Sequence, residues 1–160
     1  MPMDLSRFGA VEHDWHMQLH MPAGLLGFPE VKEYLVVDPA PELPVKWLQA
    51  RDELQLAFVI TDPFILLPDY QVELSHLDLM DVGAHATTDL FLVAIVTLPR
   101  ETTAYPTVNL QGPVLINRAN GWAKQLVLVQ GTYHTHHPLT LAPPSQPVES
   151  ENPNLVSQRP

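Results

Sequence analysis

The sequence predicts a mostly β protein, built as a small antiparallel β-barrel with one or two short helices. Apolar residues recur at every second position in several short runs, which is the pattern of strands that bury one face. The 17 prolines and 7 glycines among the 160 residues separate these runs at short intervals. Many short strands divided by turns fold as a barrel or as a sandwich, and we expect the barrel.

The strand pattern is clearest in two runs. Every second side chain in residues 54–60 is large and apolar, which predicts a strand with one apolar face. Residues 90–98 are apolar apart from Thr97 and stop at Pro99, which indicates a strand buried on both faces. Shorter candidate strands are residues 8–13, 17–21, 34–37, 46–50, 70–74 and 133–136.

A hairpin is predicted in the last third of the chain. Residues 114–117 and 125–130 are strand-like runs, joined through Arg118-Ala119-Asn120-Gly121-Trp122. Asn-Gly favours the positive φ angles of a two-residue type I′ turn, so we expect the two runs to pair across such a turn.

Helix signals are few. Ser75 is followed three residues later by Asp78, as in a capping box, and Gly83 supplies a left-handed stop. Residues 76–82 should therefore form about two helical turns. A further single turn is expected after Pro29, through Glu33.

The composition fits one domain followed by a tail. Apolar residues make up 46% of the chain, as a globular core requires. From Leu139 onward the sequence shows no alternation and contains five prolines in 22 residues. We therefore expect a barrel domain at residues 1–141 and a disordered, proline-rich tail at residues 142–160.

The charge of the chain is acidic and unevenly distributed. Eighteen Asp and Glu residues against eight Lys and Arg residues give a net charge of −10. We expect no direct binding to nucleic acid, because Lys and Arg supply most of the affinity for phosphates. Eight acids and no Lys or Arg lie in residues 52–89. This stretch is either a solvated surface that maintains solubility or an acidic face that steers a basic partner.

The sequence predicts a cytoplasmic protein. It contains no cysteine, which excludes disulfides, thiolate metal sites and thiol nucleophiles. Charged residues interrupt the first thirty positions, so no signal-peptide core is present. The longest apolar run, residues 90–96, is far shorter than the roughly 20 residues that cross a bilayer. We expect no association with a membrane.

Histidines supply two candidate metal sites. Those at positions 13, 16 and 20 have helical spacing, but a strand through this region would scatter them over both faces. His134 and His136 would share one strand face, as in metal-dependent β-barrel enzymes of the cupin type. Such a site also needs a nearby Glu and a later His, yet the next Glu is Glu149, in the expected tail.

No other enzyme template fits the sequence. A G-x-S-x-G nucleophile motif and a glycine-rich phosphate loop are both absent. The cupin-like enzyme is therefore the alternative function, and the preferred interpretation has no catalytic residue, no metal and no cofactor.

Residues 61–70 are the least ordinary stretch of the sequence. Pro63 and Pro68 exclude a central strand, yet the four residues between them are large and apolar. Phe64 and Leu66 either plug an end of the barrel or belong to an apolar lip in an acidic surround. Such a lip suits an amphipathic helix from a partner protein.

Several motifs resemble those of one known family. Residues 21–28, M-P-A-G-L-L-G-F, resemble the F-P-x-G-L-x-G-F segment of the flagellar assembly factor family FliW. The central block of that family is similar to W-L-Q at 47–49, A-F-V-I-T-D-P-F at 57–64, P-D-Y at 68–70 and E-L-S at 73–75. Its last third is similar to A-I-V-T at 94–97, V-N-L-Q-G-P at 108–113, I-N at 116–117 and Tyr133.

The resemblance implies a cytoplasmic factor that binds flagellin before export and, alternatively, the translational regulator CsrA. In that scheme binding to CsrA relieves repression of the flagellin message, so flagellin synthesis follows flagellin export. The candidate residues for binding the basic CsrA are Asp62, Asp69 and Glu73. Those for binding a flagellin helix are Phe64, Ile65, Leu66 and Tyr70. A scaffold subunit without a regulated partner is a third alternative.

Overall fold

The computed structural model describes residues 16–38, 42–99, 105–129 and 133–139, and most of its regular structure is strand. The strands are β1 (His16–His20), β2 (Glu33–Val37), β3 (Val45–Ala50), β4 (Ala57–Thr61), β5 (Leu90–Thr97), β6 (Thr107–Asn117), β7 (Ala123–Gln125) and β8 (His137–Pro138). Two short helices, α1 (Pro63–Leu66) and α2 (His76–Asp81), lie between β4 and β5. No helix of the described residues has the length needed to cross a bilayer. The predicted strand at residues 8–13 and the predicted tail lie outside the described residues.

One antiparallel sheet contains the eight strands of the described residues. They pair in chain order from β1 to β7, and β8 pairs with the start of β6. Where the two ends of the sheet meet, the backbone N–H of His20 donates to the carbonyl oxygen of Gly121 at 2.8 Å. A parallel bridge also joins His20 to Trp122. The sheet is thus a nearly closed barrel, which confirms the predicted fold class.

The interior of the barrel holds the main apolar core. Alternate side chains of the strands point inward and are removed from water. The fully buried ones include Leu19, Tyr34, Leu48, Ile60 and Ile116. The alternation in residues 54–60 predicted a strand here, but the strand begins at Ala57, and Leu54 lies exposed in the loop before it.

A second apolar layer lies on the outer face of β4, β5 and β6. Because neighbouring side chains on a strand point to opposite faces, Val59 of β4 lies outside the barrel. It pairs with Val96, and Val96 pairs with Val108, so the three form a row across adjacent strands. Tyr70 packs on this row. Residues 62–89, which we call the covering segment, therefore close the outer face here and carry both helices.

The capping box of α2 forms as predicted. The backbone N–H of Asp78 donates to Ser75 Oγ at 3.0 Å, and the backbone N–H of Ser75 donates to Asp78 Oδ2 at 3.0 Å. The helix ends at Asp81, and Gly83 follows with a φ of 66°. Two of the donors that a helix start leaves unpaired are satisfied in this way.

The hairpin forms, but four residues, 118–121, lie between the hydrogen-bonded Asn117 and Trp122, and not two, and β7 ends at Gln125 and not at residue 130. β6 ends at Asn117, whose N–H donates to the carbonyl oxygen of Trp122 at 2.9 Å. Asn117 Oδ1 also accepts from the backbone N–H of Ala119 at 3.0 Å, and this bond stabilises the longer turn. Gly121 has a φ of 79°, and a Cβ there would lie 2.6 Å from the carbonyl oxygen of Gln18, so only glycine fits.

Three other local predictions are wrong. Residues 70–74 form no strand, because they cross the outer face of the sheet as part of the covering segment. The turn expected after Pro29 is not helical, and β2 begins at Glu33. Residues 133–136 are not a strand, although Leu110 donates to the carbonyl oxygen of His134 at 3.0 Å.

Candidate functional site

The candidate binding residues lie on and around α1, directly after β4. Asp62 is the N-cap of this helix, and its Oδ1 accepts from the backbone N–H of Phe64 at 2.9 Å. Pro63 occupies the first turn, where its missing N–H breaks no helical hydrogen bond. The helix ends after one turn, where the N–H of Leu67 donates to the carbonyl oxygen of Pro63 at 3.0 Å.

α1 exposes its middle residues and buries part of its last one. Phe64 is 42% exposed and Ile65 is 50% exposed. Leu66 is half-buried and packs on the outer apolar layer. Phe64 and Ile65 are therefore accessible to a partner, whereas Leu66 mainly attaches the helix to the sheet.

Tyr70 is not displayed, so its predicted place on the exposed lip is wrong. It is 3% exposed, and its hydroxyl donates to the carbonyl oxygen of Leu110 at 2.6 Å. Its ring lies between Phe64, at a centroid distance of 5.7 Å, and Tyr133, at 4.6 Å. Burial raises the pKa of the Tyr70 hydroxyl, and Tyr133 adds to the rise. Pro63 and Pro68 keep this segment out of the sheet, but they do not keep Tyr70 out of the core.

The structure does not bring the three acidic candidates into one cluster. Asp62 is half-buried at the start of α1, and Asp69 is exposed in the turn after that helix. Glu73 instead lines a separate cleft of about 280 Å³, together with Asp78 and Lys124. Asp62 and Glu73 therefore line different cavities of the covering segment.

Lys124 of β7 links α2 to the barrel. Its Nζ lies 2.9 Å from Asp78 Oδ1 and 2.8 Å from Asp81 Oδ2. Burial raises the pKa of Asp78, but the hydrogen bond from the Ser75 amide and the Lys124 charge outweigh burial and leave that pKa below its ordinary value. Two of the eight acids of residues 52–89 are thus paired with a base that lies far away in the sequence.

An apolar cavity of about 260 Å³ lies beside α1. It exists because β4 pairs only with the second half of β5, where Thr61 is opposite Ala94. Leu90 and Leu92 extend beyond the end of β4, and the cavity opens over them. Phe64 forms part of its wall. The sequence predicted a strand buried on both faces here, and the partial burial of Leu90 and Leu92 corrects that expectation.

Two charged or polar side chains stand among the apolar ones that line this cavity. They are Asp62, from the start of α1, and Thr87, from the loop that leads into β5. Among the described residues that line the cavity there is no Lys, Arg or His. Sequence reasoning identified Asp62 and Phe64, but Thr87 carried no signal because it lies in a polar loop.

The histidines of the described residues are not gathered around a common point. His20 contacts the Glu33 carboxylate and the ring of Trp122. His134 and His136 are exposed and do not share a strand face. Within residues 16–38, 42–99, 105–129 and 133–139, no group of three His, Asp or Glu side chains is placed to hold a metal. The residue at position 13 lies outside these ranges.

The fold and the surface around α1 define a class of protein. It is a small antiparallel barrel whose outer face is crossed by a segment that displays apolar side chains near carboxylates. The family model described as FliW protein matches residues 3–139. The chain belongs to the FliW family of flagellar assembly factors, as the resemblance in its motifs implied.

Relatives and a solved structure agree with this assignment. The flagellar assembly factor FliW of Leptospira biflexa is 37% identical over 120 residues, which are 75% of this chain and 78% of that protein. The FliW of Alkaliphilus metalliredigens is 36% identical over 138 residues, 86% of this chain and 85% of its own length. A crystal structure of the flagellar assembly factor FliW superimposes with a TM-score of 0.70 at 28% identity, covering 78% of this chain and 86% of that chain. These matches are to an assembly factor and not to a family of enzymes.

Proposed function

We propose that this protein acts in the cytoplasm by binding flagellin before its export and, alternatively, by binding the translational regulator CsrA. Binding to CsrA relieves repression of the flagellin message. Free flagellin competes for the same factor, so unexported flagellin limits its own synthesis. The proposal places both activities in the barrel domain, residues 1–141, and none in the tail, residues 142–160.

The observation that carries the proposal is the pair of exposed apolar residues on α1. Phe64 and Ile65 project from a single helical turn that is capped by Asp62 and supported by the buried Tyr70. Single exposed apolar residues are common on protein surfaces. Here two exposed apolar residues are adjacent and one of them, Phe64, also lines an apolar cavity, and this surface suits the apolar face of an amphipathic helix.

The charge of the covering segment supports the CsrA part of the proposal. Residues 62–89 contain six acids and no Lys or Arg, in a chain with a net charge of −10. A basic RNA-binding protein is attracted to such a surface, whereas RNA itself is repelled. The factor therefore acts on the regulator and not on the message.

Competition between the two partners tests the proposal. The factor, flagellin and CsrA are purified without tags, mixed in pairs and all together, and separated by size-exclusion chromatography. Each partner should co-elute with the factor, and added flagellin should release CsrA. A chain that ends at residue 141 should behave in the same way, since the family match ends at residue 139. Absence of both complexes, or a stable complex of all three proteins, contradicts the proposal.

A second measurement follows the regulatory step. A fluorescent flagellin-leader RNA is first bound to CsrA, and its anisotropy is recorded as the factor is added. The anisotropy should fall as RNA is released, and it should not rise when the factor meets the RNA alone. Flagellin added last should restore the complex of CsrA with RNA.

A further inference from the structure

We infer that Asn120 is a deamidation site, and that the contact between its side chain and the end of α2 holds the reaction back. Deamidation with water converts this amide into a carboxylate or into iso-aspartate. The inference concerns the turn between β6 and β7 and goes beyond the proposed function.

The chain contains one Asn-Gly pair, Asn120-Gly121, and it lies in this turn. Asparagine is chemically labile, and most so before glycine, which has no side chain to hinder attack by its backbone nitrogen. The Gly121 nitrogen bonds to Cγ of Asn120 and forms a cyclic imide. The bond from Cγ to Nδ2 breaks, and ammonia leaves with the proton of the attacking nitrogen. Water then opens the imide at either carbonyl group, which gives aspartate or iso-aspartate.

Both residues of the pair are needed by the fold. Gly121 has a φ of 79°, and a Cβ there would lie 2.6 Å from the carbonyl oxygen of Gln18. Asn120 Nδ2 donates to the carbonyl oxygen of Val82 at 3.1 Å. Asn120 Oδ1 accepts from the backbone N–H of Trp122 at 2.9 Å. An ionised aspartate can accept but cannot donate, so the structure uses the labile amide itself.

The folded structure protects the pair from the reaction. The N–H of the attacking Gly121 nitrogen donates to the carbonyl oxygen of Asn117 at 2.8 Å. The target amide lies against the residue that follows α2, since a Cβ at Gly83 would be 3.0 Å from Asn120 Nδ2. The reaction therefore needs a local opening in which the turn separates from the end of α2. Asn120 is otherwise exposed, so water can reach the imide.

Deamidation would loosen the end of α2. A carboxylate at position 120 has no donor for the carbonyl oxygen of Val82 and repels it, which leaves Asn117 Nδ2, at 2.9 Å, as its side-chain donor. Iso-aspartate also lengthens the backbone beside Gly121, whose carbonyl oxygen accepts from His20 at 2.8 Å where the barrel closes. Because ammonia is lost, the change does not reverse by itself. It is a one-way loosening of the covering segment.

Comparing the reaction in folded and unfolded protein tests the inference. The full chain is incubated at mildly alkaline pH, with and without denaturing urea, and peptide mapping by mass spectrometry follows aspartate and iso-aspartate at position 120. The folded protein should react at least about tenfold more slowly, because the rate follows the population of the open state. Asn109, which precedes Leu110, is the internal reference and should stay unmodified. Equal rates in the two states, or no reaction in urea, refute the inference.

Releasing α2 from β7 tests the protecting contact. Lys124→Gln removes the cation that pairs with Asp78 and Asp81. Deamidation of the folded variant should be roughly fivefold faster, because the end of α2 opens more often. Lys32→Gln, at an exposed lysine before β2, is the control and should keep the wild-type rate. Asp81→Asn breaks one of the two pairs and serves if Lys124→Gln impairs folding. Wild-type rates in both folded variants would show that α2 does not protect Asn120.

Asn120→Asp reproduces the direct product and tests its effect on the fold. The N–H of Ala84 donates to the carbonyl oxygen of Leu79 at 2.8 Å and so reports on the end of α2. Its hydrogen exchange should be roughly fivefold faster in the variant, while the amide of the buried Leu48 stays at the wild-type rate. Unchanged exchange at Ala84 would overturn the proposed loosening of the covering segment.

Discussion

The hydroxyl of Tyr70 donates a 2.6 Å hydrogen bond to the carbonyl oxygen of Leu110 and so ties the covering segment to β6. The same ring contacts Phe64, whose exposed edge is part of the proposed binding surface. The ring of Tyr70 therefore supports Phe64, a proposed binding residue, while its hydroxyl joins segments that lie 40 positions apart in the chain. We therefore expect the hydroxyl of Tyr70 to contribute to the stability of the fold, and its ring to contribute to partner binding through Phe64.

Replacing Tyr70 by Phe should lower stability and leave binding nearly intact. The buried carbonyl oxygen of Leu110 loses a donor, which costs about 1 kcal/mol of unfolding free energy. The aromatic contact with Phe64 remains, so the affinity for flagellin should change less than about twofold. Urea unfolding and titration calorimetry measure the two effects. Tyr105→Phe is the control, since Tyr105 is 71% exposed, and an equal loss of stability in that variant would argue against the role of the hydrogen bond.

Replacing Phe64 by Ala should weaken flagellin binding by about thirtyfold, because truncation of an aromatic anchor at an interface costs 2 kcal/mol or more. The midpoint of thermal unfolding should change little, since Phe64 is 42% exposed. Leu54→Ala removes an even more exposed apolar side chain, at the tip of the loop between β3 and β4, and should not affect binding. A folded Phe64→Ala protein with wild-type affinity would place the flagellin site elsewhere on the barrel.

Neutralising the acids of the covering segment should slow the association of CsrA. The variant combines Asp62→Asn, Asp69→Asn and Glu73→Gln. Its association rate should fall, and so should the dependence of that rate on salt, since exposed charges are screened beyond about 10 Å at 0.1 M salt. Stopped-flow fluorescence at several salt concentrations measures both.

The control for that variant removes the same amount of charge at the opposite end of β4. It combines changes at three exposed acids, Glu30→Gln, Asp52→Asn and Glu53→Gln. If this control slows association as much as the first variant, net charge and not the covering segment steers CsrA.

Asp78 should make part of the stability depend on acid pH. Its pKa lies below the ordinary value of 3.8 in the folded state, so the folded protein binds this proton less readily than the unfolded chain. The resulting stability is present above pH 3.8 and is lost as the pH falls through the folded-state pKa. Asp78→Asn should therefore be less stable than wild type at pH 7, and the difference should shrink at low pH. Urea unfolding series run from pH 7 to pH 2 measure this difference, and Glu53→Gln, at an exposed position, is the control for the loss of one carboxylate.

The sequence was most informative where a few neighbouring residues decide the outcome. The strand β4 and the Ser75–Asp78 capping box depend on residues that are close together in the sequence, and both appear in the structure. The hairpin between β6 and β7 was also found, although the side chain of Asn117 lengthened its turn. The exposure of Phe64 was consistent with the proline pattern around it, because Pro63 and Pro68 prevent the segment from joining the sheet.

The sequence by itself determined that this chain is a small barrel with a short helix at α2, and that its acidic excess lies between residues 52 and 89. Tertiary structure alone decided which side chains of that stretch are exposed. Tyr70 is buried, and its hydroxyl is hydrogen-bonded to the carbonyl oxygen of Leu110. Asp78 is paired with Lys124, which lies 46 positions away. The cavity over Leu90 and Leu92 exists because β4 ends opposite the middle of β5, so the first half of β5 has no partner in β4. Each of these depends on where the covering segment lies on the sheet, and long-range packing sets that position, which local sequence patterns do not encode.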